Sequence, residues 1–181
     1  MARFFLVTAF GPDRPGMVAG VTRLVYDLKG NIEDTSMTRL GGEFVMMLIL
    51  GLPNAERGTR LLKSLSQHEK KFGLTLNVKP LPSGLAHAKR RLQATHMISV
   101  YGTDRPGIVY RVAQALADLR VNITDLNTQV LKRGGKPLYV MLLEVHIPSR
   151  PKAAALRRKL TRLGGALRLD VTLQDIEAVA L

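Results

Sequence analysis

Apolar positions along the chain change their spacing in a fixed order, and the order is run through twice. From Arg3 to Phe10 the residues are mostly aromatic and β-branched until Gly11-Pro12 interrupts them, the pattern of a strand ending in a turn. From Pro15 to Lys29 the spacing becomes helical, with Val18, Val21, Val25 and Leu28 at intervals of 3, 4 and 3 forming one apolar stripe. Gly30 reads as the helix stop, and Asn31 turns the chain into a second strand at 32–39. Leu40-Gly41-Gly42-Glu43 is a hairpin signal, followed by a third strand at 44–50 whose Val, Met and Leu residues read as core. Pro53 opens a second helix at about 54–72, which ends at Gly73 before a last strand at 74–79.

The second pass keeps both order and residues. Gly11-Pro12-Asp13-Arg14-Pro15-Gly16-Met17-Val18 returns 91 residues later as Gly102-Thr103-Asp104-Arg105-Pro106-Gly107-Ile108-Val109, and Asn31-Ile32-Glu33-Asp34 returns as Asn122-Ile123-Thr124-Asp125. Val109, Val112, Leu116 and Leu119 repeat the helical stripe. Strands follow near 123–131 and 138–146, where the offset grows to 95, so four residues have entered the hairpin and Lys132-Arg133-Gly134-Gly135-Lys136-Pro137 reads as a longer, basic tip. Pro148 opens a helix at 150–163 that ends at Gly164-Gly165, ahead of a strand at 167–173. The tail from Gln174 to Leu181 either adds a short strand or frays.

The order is β-α-β-β-α-β, twice. It predicts an α+β protein of two ferredoxin-like domains, each a four-stranded antiparallel sheet with two helices on one face. Pro80-Leu81-Pro82-Ser83-Gly84-Leu85 holds two prolines and a glycine and is not expected to sustain an element. The first domain is therefore placed at 1–80, a linker at 81–93 and the second domain at 94–181. Halves this small sit near the lower limit for independent folding, so they are expected to pack together.

Composition adjusts this picture in three ways. The 181 residues hold 27 Lys and Arg against 14 Asp and Glu, a net charge of +13. The excess is uneven: 11 basic against 7 acidic groups in 1–80, three more cations at Lys89-Arg90-Arg91, and 13 against 7 in 94–181. Six of those last cations lie between Arg150 and Arg162 with no acid among them, a balance that favours anionic partners. Absence of cysteine removes disulfides, thiolate nucleophiles and thiolate metal sites, and fits a cytoplasmic location. No apolar run approaches the length of a membrane span, and Met1 to Val7 is too short for a signal sequence.

The repeated loop is where chemistry is expected. Proline suits a first helical turn, Asp13 and Asp104 read as helix caps, and Gly16 and Gly107 let a ligand approach the backbone. Free amides at a positive helix end form a cradle for a carboxylate. Asn31 and Asn122 open the adjacent strand, which would set their side chains beside that cradle. An α-amino acid needs amide donors for its carboxylate and oxygen acceptors for its ammonium, and Asp and Asn side chains supply the second. The same residues also serve ordinary capping and turn roles.

The two motifs, Gly-x-Asp-Arg-Pro-Gly-[Met/Ile]-Val and Asn-Ile-x-Asp, resemble the ACT domain, a ferredoxin-like module that senses amino acids. Over 8–16, 31–34 and 40–44 the first copy is similar to the tandem-ACT glycine cleavage system transcriptional repressor family; the second copy departs from it at Thr124 and in its hairpin. The resemblance implies domains paired side by side with joined sheets, and ligand at the interface near the first loop. It implies Gly11, Asp13, Gly16, Met17, Asn31 and Ile32 in one copy, and Gly102, Asp104, Gly107, Ile108, Asn122 and Ile123 in the other, as ligand-binding positions. In serine-sensing members the position of Asp13 and Asp104 is an Asn, and that of Gly11 and Gly102 is a polar residue that contacts ligand. It further implies a regulator of transcription that binds an amino acid (glycine or serine first), works in a homo-oligomer with a protein partner, and uses no cofactor and no membrane.

Enzyme chemistry finds little support. His68, His87, His96 and His146 are scattered without metal-ligand spacing, and neither phosphate loop, dinucleotide fingerprint nor nucleophile elbow is present. The alternative is direct nucleic-acid binding through the basic surface. RNA-recognition modules share the topology but stack bases on exposed aromatics, and Gly42-Glu43-Phe44-Val45 meets their RNP1 pattern only in part. Arg157, Arg158, Lys159 and Arg162 would be the residues of a groove-reading helix, although no helix-turn-helix sequence is visible. A third reading has this basic helix dock on an acidic protein.

Overall fold

A computed structural model describes residues 3–86, 92–133 and 136–176. Lys89-Arg90-Arg91, His87, Gly134-Gly135 and the tail end at 177–181 lie outside the described residues. The chain divides into two compact units, Met1–Lys89 and Arg90–Leu181. The first runs β1 (Arg3–Pro12), α1 (Met17–Asp27), β2 (Asn31–Leu40), β3 (Glu43–Leu52), α2 (Ala55–Phe72) and β4 (Thr75–Leu81), then one helical turn, α3 (Ser83–Ala86). The second repeats the order as β5 (His96–Gly102), α4 (Ile108–Ala117), β6 (Asn122–Arg133), β7 (Lys136–His146), α5 (Arg150–Leu167) and β8 (Asp170–Asp175). The sheets have strand orders β2-β3-β1-β4 and β6-β7-β5-β8, every pairing antiparallel, which is the expected ferredoxin-like architecture twice over. No helix among the described residues is long and apolar enough to cross a membrane.

Alternation along the strands decides what the helices cover. Phe5, Val7 and Ala9 of β1 and Phe44, Met46, Leu48 and Leu50 of β3 meet Val21, Leu24 and Val25 of α1 and Leu61 of α2 in one core. Ile98, Val100, Met141, Leu143, Val112, Leu116, Leu156 and Leu160 build the second. Among the described residues no polar or charged side chain is buried. The third strand is thus core on one face only; Met47, on the other, is 44% exposed. The helical stripe is also rotated from the expected one. Met17 and Leu24 turn inward, while Val18 and Val109 stand 42% and 39% exposed at the helix starts.

Several boundaries differ from the sequence reading, each for a physical reason. Gly30 is not the left-handed stop: that conformation falls on Lys29 (φ 48) and on Arg120 (φ 52), and a Cβ on Gly30 would lie 2.6 Å from Leu50. Helix α5 continues through Gly164-Gly165 to Leu167, because Gly164 packs under Leu169, whose carbonyl oxygen leaves 2.8 Å for a Cβ. Pro80 and Leu81 extend β4 and α3 follows, so this segment does carry structure; β4 is an edge strand, where a proline costs no ladder bond. Gly41 (φ 60) and Gly42 (φ 85) close the expected hairpin, both with positive φ as a primed turn requires. The four extra residues of the second hairpin lengthen its strands by the pairs Lys132↔Pro137 and Arg133↔Lys136 rather than its tip. Gln174 and Asp175 belong to β8.

A bulge at Glu33 in β2 recurs at Thr124 in β6. In the first unit Gly51 leaves room for Phe4 and for the Glu33 carboxylate, 2.7 Å from where a Cβ would stand. The matching positions of the second unit are Thr95, Thr124 and His146, two small residues and one large in place of two large and one glycine. Leu61→Ala should lower stability by about 2–5 kcal/mol, since Leu61 is fully buried between α2 and its sheet. Urea unfolding followed by circular dichroism checks this; an unchanged midpoint would show that the helix is not held by this core.

Candidate functional site

Residues 13–16 carry the chain from β1 into α1. The Met17 amide donates to the Arg14 carbonyl at 3.3 Å, closing a turn with Pro15 and Gly16 at its centre. Gly16 (φ 96, ψ −5) and Gly107 (φ 91, ψ 0) have the torsions of the third residue of a type II turn, a position that favours glycine after proline. The prolines therefore serve the turn and precede the helix. Gly16 and Gly107, not Asp13 and Asp104, occupy the cap positions, with no side-chain cap bond. The helical ladders start at Gly20 N–H to Gly16 O (2.8 Å) and Arg111 N–H to Gly107 O (3.0 Å). The amides of Val18 and Ala19, and of Val109 and Tyr110, come before the ladder and face out of the helix end, as the cradle requires.

Other predicted residues have packing roles. A Cβ on Gly11 would lie 2.8 Å from the Gly73 carbonyl, and one on Gly102 2.5 Å from Leu169. No side chain fits at either position, so any ligand there meets backbone. Met17 and Ile108 are buried in the two cores.

A cavity of about 720 Å³ opens in front of α1, lined by Asp13, Gly16, Met17, Val18, Met37 and Arg39 among others. Asp13 ties the loop to the hairpin: its amide donates to Gly42 O at 2.8 Å and its carboxylate accepts from Arg39 Nη1 at 3.0 Å. The second loop is built otherwise. Val130 takes the place of Arg39 and Tyr139 that of Phe44. Asp104 makes no hydrogen bond or ion pair among the described residues. Burial first, and then the charge of Asp104, push the Tyr139 phenol above its ordinary value. The Tyr139 hydroxyl donates to the Met141 sulfur at 3.7 Å. Sequence reasoning missed Arg39, Met37 and Tyr139, all on strands that only tertiary pairing brings to the loop.

Asn31 and Asn122 do not lie beside the cradle of their own domain. Strands β1 and β2 are parallel, because both run antiparallel to β3. Asn31 pairs with Gly51, which in turn pairs with Phe4, whereas Asp13 follows the far end of β1. Nine residues of strand separate the two positions by about 30 Å. The physical reason is the helix between them, which returns the chain to the end of the sheet where β1 began. The Asn31 side-chain amide donates to Glu33 Oε1 at 3.2 Å and that of Asn122 to Ile123 O at 3.5 Å. Ile32 and Ile123 pack against their cores.

The ACT-domain family model matches residues 3–79 and again 95–174, and the chain belongs to that family. It is similar to the glycine cleavage system transcriptional repressor of Escherichia coli, 27% identical over 163 residues that cover 88% of this chain and 83% of that protein. A UPF0237 protein of Streptococcus mutans is 36% identical over 74 residues, 41% of this chain and 80% of its own length. The solved structure of a protein from Galdieria sulphuraria superposes with a TM-score of 0.77 at 25% identity, over 98% of this chain and all of that one.

Gly16→Ala should cost about 1–2 kcal/mol through its backbone torsion alone, since a Cβ there would meet nothing within 4 Å. Asp13→Ala should cost less than about 1 kcal/mol, because its partner Arg39 is 68% exposed. Thermal melts of both variants check the order; a larger loss for Asp13→Ala would mean that the ion pair, not the turn, sets the loop.

Proposed function

We propose that this chain is a non-enzymatic regulator of transcription that responds to a free amino acid, glycine and serine being the first candidates, and that acts through a protein partner. The Escherichia coli relative, named as a transcriptional repressor and matched over most of both chains, supports the regulatory part. One observation carries the ligand part: each domain presents outward-facing helix-end amides at one end of its sheet and an exposed asparagine at the other. Between them runs a long edge strand, ten residues in β2 and twelve in β6. Its outer row of amides and carbonyls has no strand partner among the described residues, a form that natural sheets otherwise blunt. Antiparallel pairing of β2 with β2 of a second copy brings the partner's asparagine to Arg39 and the first loop. A two-fold dimer with joined sheets is the result.

In that assembly the ligand carboxylate takes the helix-end amides. Its ammonium takes a carboxylate and the partner's asparagine oxygen. The second loop suits the ammonium better, because the Asp104 carboxylate has no partner among the described residues while Asp13 is held by Arg39. Ligand then favours the paired state over the unpaired one, a population shift between assembly states. Nucleic-acid stacking is poorly served: each open sheet face exposes one aromatic, Phe10 or Tyr101, and Phe44 of the partial RNP1 match is buried.

Thermal shift of the full chain against the twenty amino acids tests the reading. A ligand that binds only the native state adds about 2.7 kcal/mol at a hundredfold excess over its dissociation constant. Asn31→Ala with Asn122→Ala should abolish that rise and lower the dimer fraction in sedimentation. No rise with any amino acid would sink the sensor claim.

A further inference from the structure

Between α4 and α5 the second unit holds a groove of about 360 Å³ lined by Tyr110, Arg111 and Ala115 from one helix and Lys159, Arg162 and Leu163 from the other. Its floor is apolar, with Ala115 buried and Leu163 packed against the core. On the rim Tyr110 is 68% exposed. Asp118 is the one acidic group in the lining, and it is already taken: Lys159 and Gln114 both donate to its carboxylate. The Lys159 hydrogen bond, with that of Gln114 behind it, holds the Asp118 carboxyl below the usual range, so it stays ionised and clamps the two helices together. The side chains of Arg111 and Arg162 make no hydrogen bond or ion pair among the described residues, and the same is true of the Arg158 side chain one turn away. From Arg150 to Leu167 α5 carries no acidic residue.

The first unit serves as an internal comparison. The matching positions there are Ala19, Gly20 and Leu24 on α1, with Arg23 in the place of Gln114, and Ser64, Gln67 and His68 on α2. Gly20 lies so close to the Phe72 ring that a Cβ would approach it to 2.8 Å, which closes the helix pair. Arg23 is paired with Asp27 at 2.8 Å and lies over the Tyr26 ring. One unit thus seals this helix interface with an aromatic ring, and the other leaves an open groove with two uncommitted guanidinium groups above an apolar floor.

We propose that the α4–α5 groove is the docking site for an acidic segment of a partner protein, which seats an apolar side chain on Ala115 and Leu163 and lays carboxylates against Arg111 and Arg162. Planar guanidinium forks match carboxylates two bonds at a time, and Tyr with Arg is the pairing found at the centres of protein interfaces. Charge complementarity alone would suit a nucleic acid as well. The apolar floor does not: packed helices stand about 8–10 Å apart, so a duplex can touch the rim but cannot use the floor. The proposal deepens the regulatory reading and rests on its protein partner, not on amino-acid binding.

Fluorescence anisotropy on the full chain at physiological salt tests it, with three probes: a short labelled peptide of Glu and Leu, an all-Glu peptide of the same length, and a short DNA duplex. The Glu/Leu peptide should bind more tightly than the all-Glu peptide. Arg111→Glu with Arg162→Glu should weaken it about tenfold or more. Lys63→Glu with Lys70→Glu, the same charge change on exposed positions of α2, should leave it nearly unchanged. The proposal is overturned by absence of peptide binding, by equal affinity for the all-Glu peptide, or by equal loss in both double variants. Tighter duplex binding that is lost specifically with Arg111 and Arg162 overturns it in favour of nucleic acid. Thermal melting verifies that the reversed chain folds; if it does not, Arg111→Gln with Arg162→Gln carries the same comparison. An amino-acid thermal shift that survives in these variants separates failure of the groove from failure of the sensor.

Discussion

The hand-over from the first strand to the first helix is the constraint on which the rest depends. Gly16 and Gly107 hold torsions near +90°, reachable cheaply only without a side chain, and the proline before each fixes the other half of the turn. That turn folds the helix back over the sheet and points its first free amides out of the domain. The helix then has to return to the end where β1 began, so Asn31 and Asn122 start their strands at the pole opposite the cradle. Clearance at Gly11 and Gly102 lets the end of the second helix close over the same corner. Amide cradle, distant asparagine and open edge strand are three consequences of one turn repeated in two units.

Local order was readable because it depends on neighbours in the chain. The Gly41-Gly42 hairpin, the strand-to-helix change at Pro15 and the doubled β-α-β-β-α-β order all follow from residues a few positions apart. What failed was whatever depends on where distant segments meet. Aspartate at 13 looks like a cap by type, yet its carboxylate finds Arg39, which strand pairing brings across from β2. Val18 continues a helical stripe in one dimension, but it stays 42% exposed and lines the cavity instead. Gly164-Gly165 reads as a stop, yet the tertiary contact under Leu169 outweighs the cost of glycine in a helix, about 1 kcal/mol each.

Duplication makes the divergence of the copies informative, because each unit shows what the fold alone requires of the other. Both keep a core with no polar side chain buried among the described residues, the glycine turn and the bulge. They differ at the surface: Asp13 is clamped by Arg39 where Asp104 faces Tyr139, and Phe72 seals one helix pair where the other stays open. Asp104, Arg111 and Arg162 are exposed, and their side chains make no hydrogen bond or ion pair among the described residues.

Magnitudes decide how such a protein would work. A free amino acid has few atoms, and the best small ligands gain about 1.5 kcal/mol per non-hydrogen atom, so the roughly five of glycine allow about 7.5 kcal/mol, a dissociation constant of a few micromolar at best. The described cradles are open to water on a surface without buried polar groups, and a solvated helix end alone falls well short of that ceiling. In the proposed dimer, covering the site with a second edge strand would exclude water and add the asparagine. Binding and pairing would then be one event, and the free energy passed between them would be limited to typical coupling values of about 1–3 kcal/mol, or 5–150-fold. A device of that size does not switch a population from all to none. It biases one that is already poised, which requires the unliganded pairing to be weak, and a single ten-residue edge strand with polar flanks is the kind of surface that provides it.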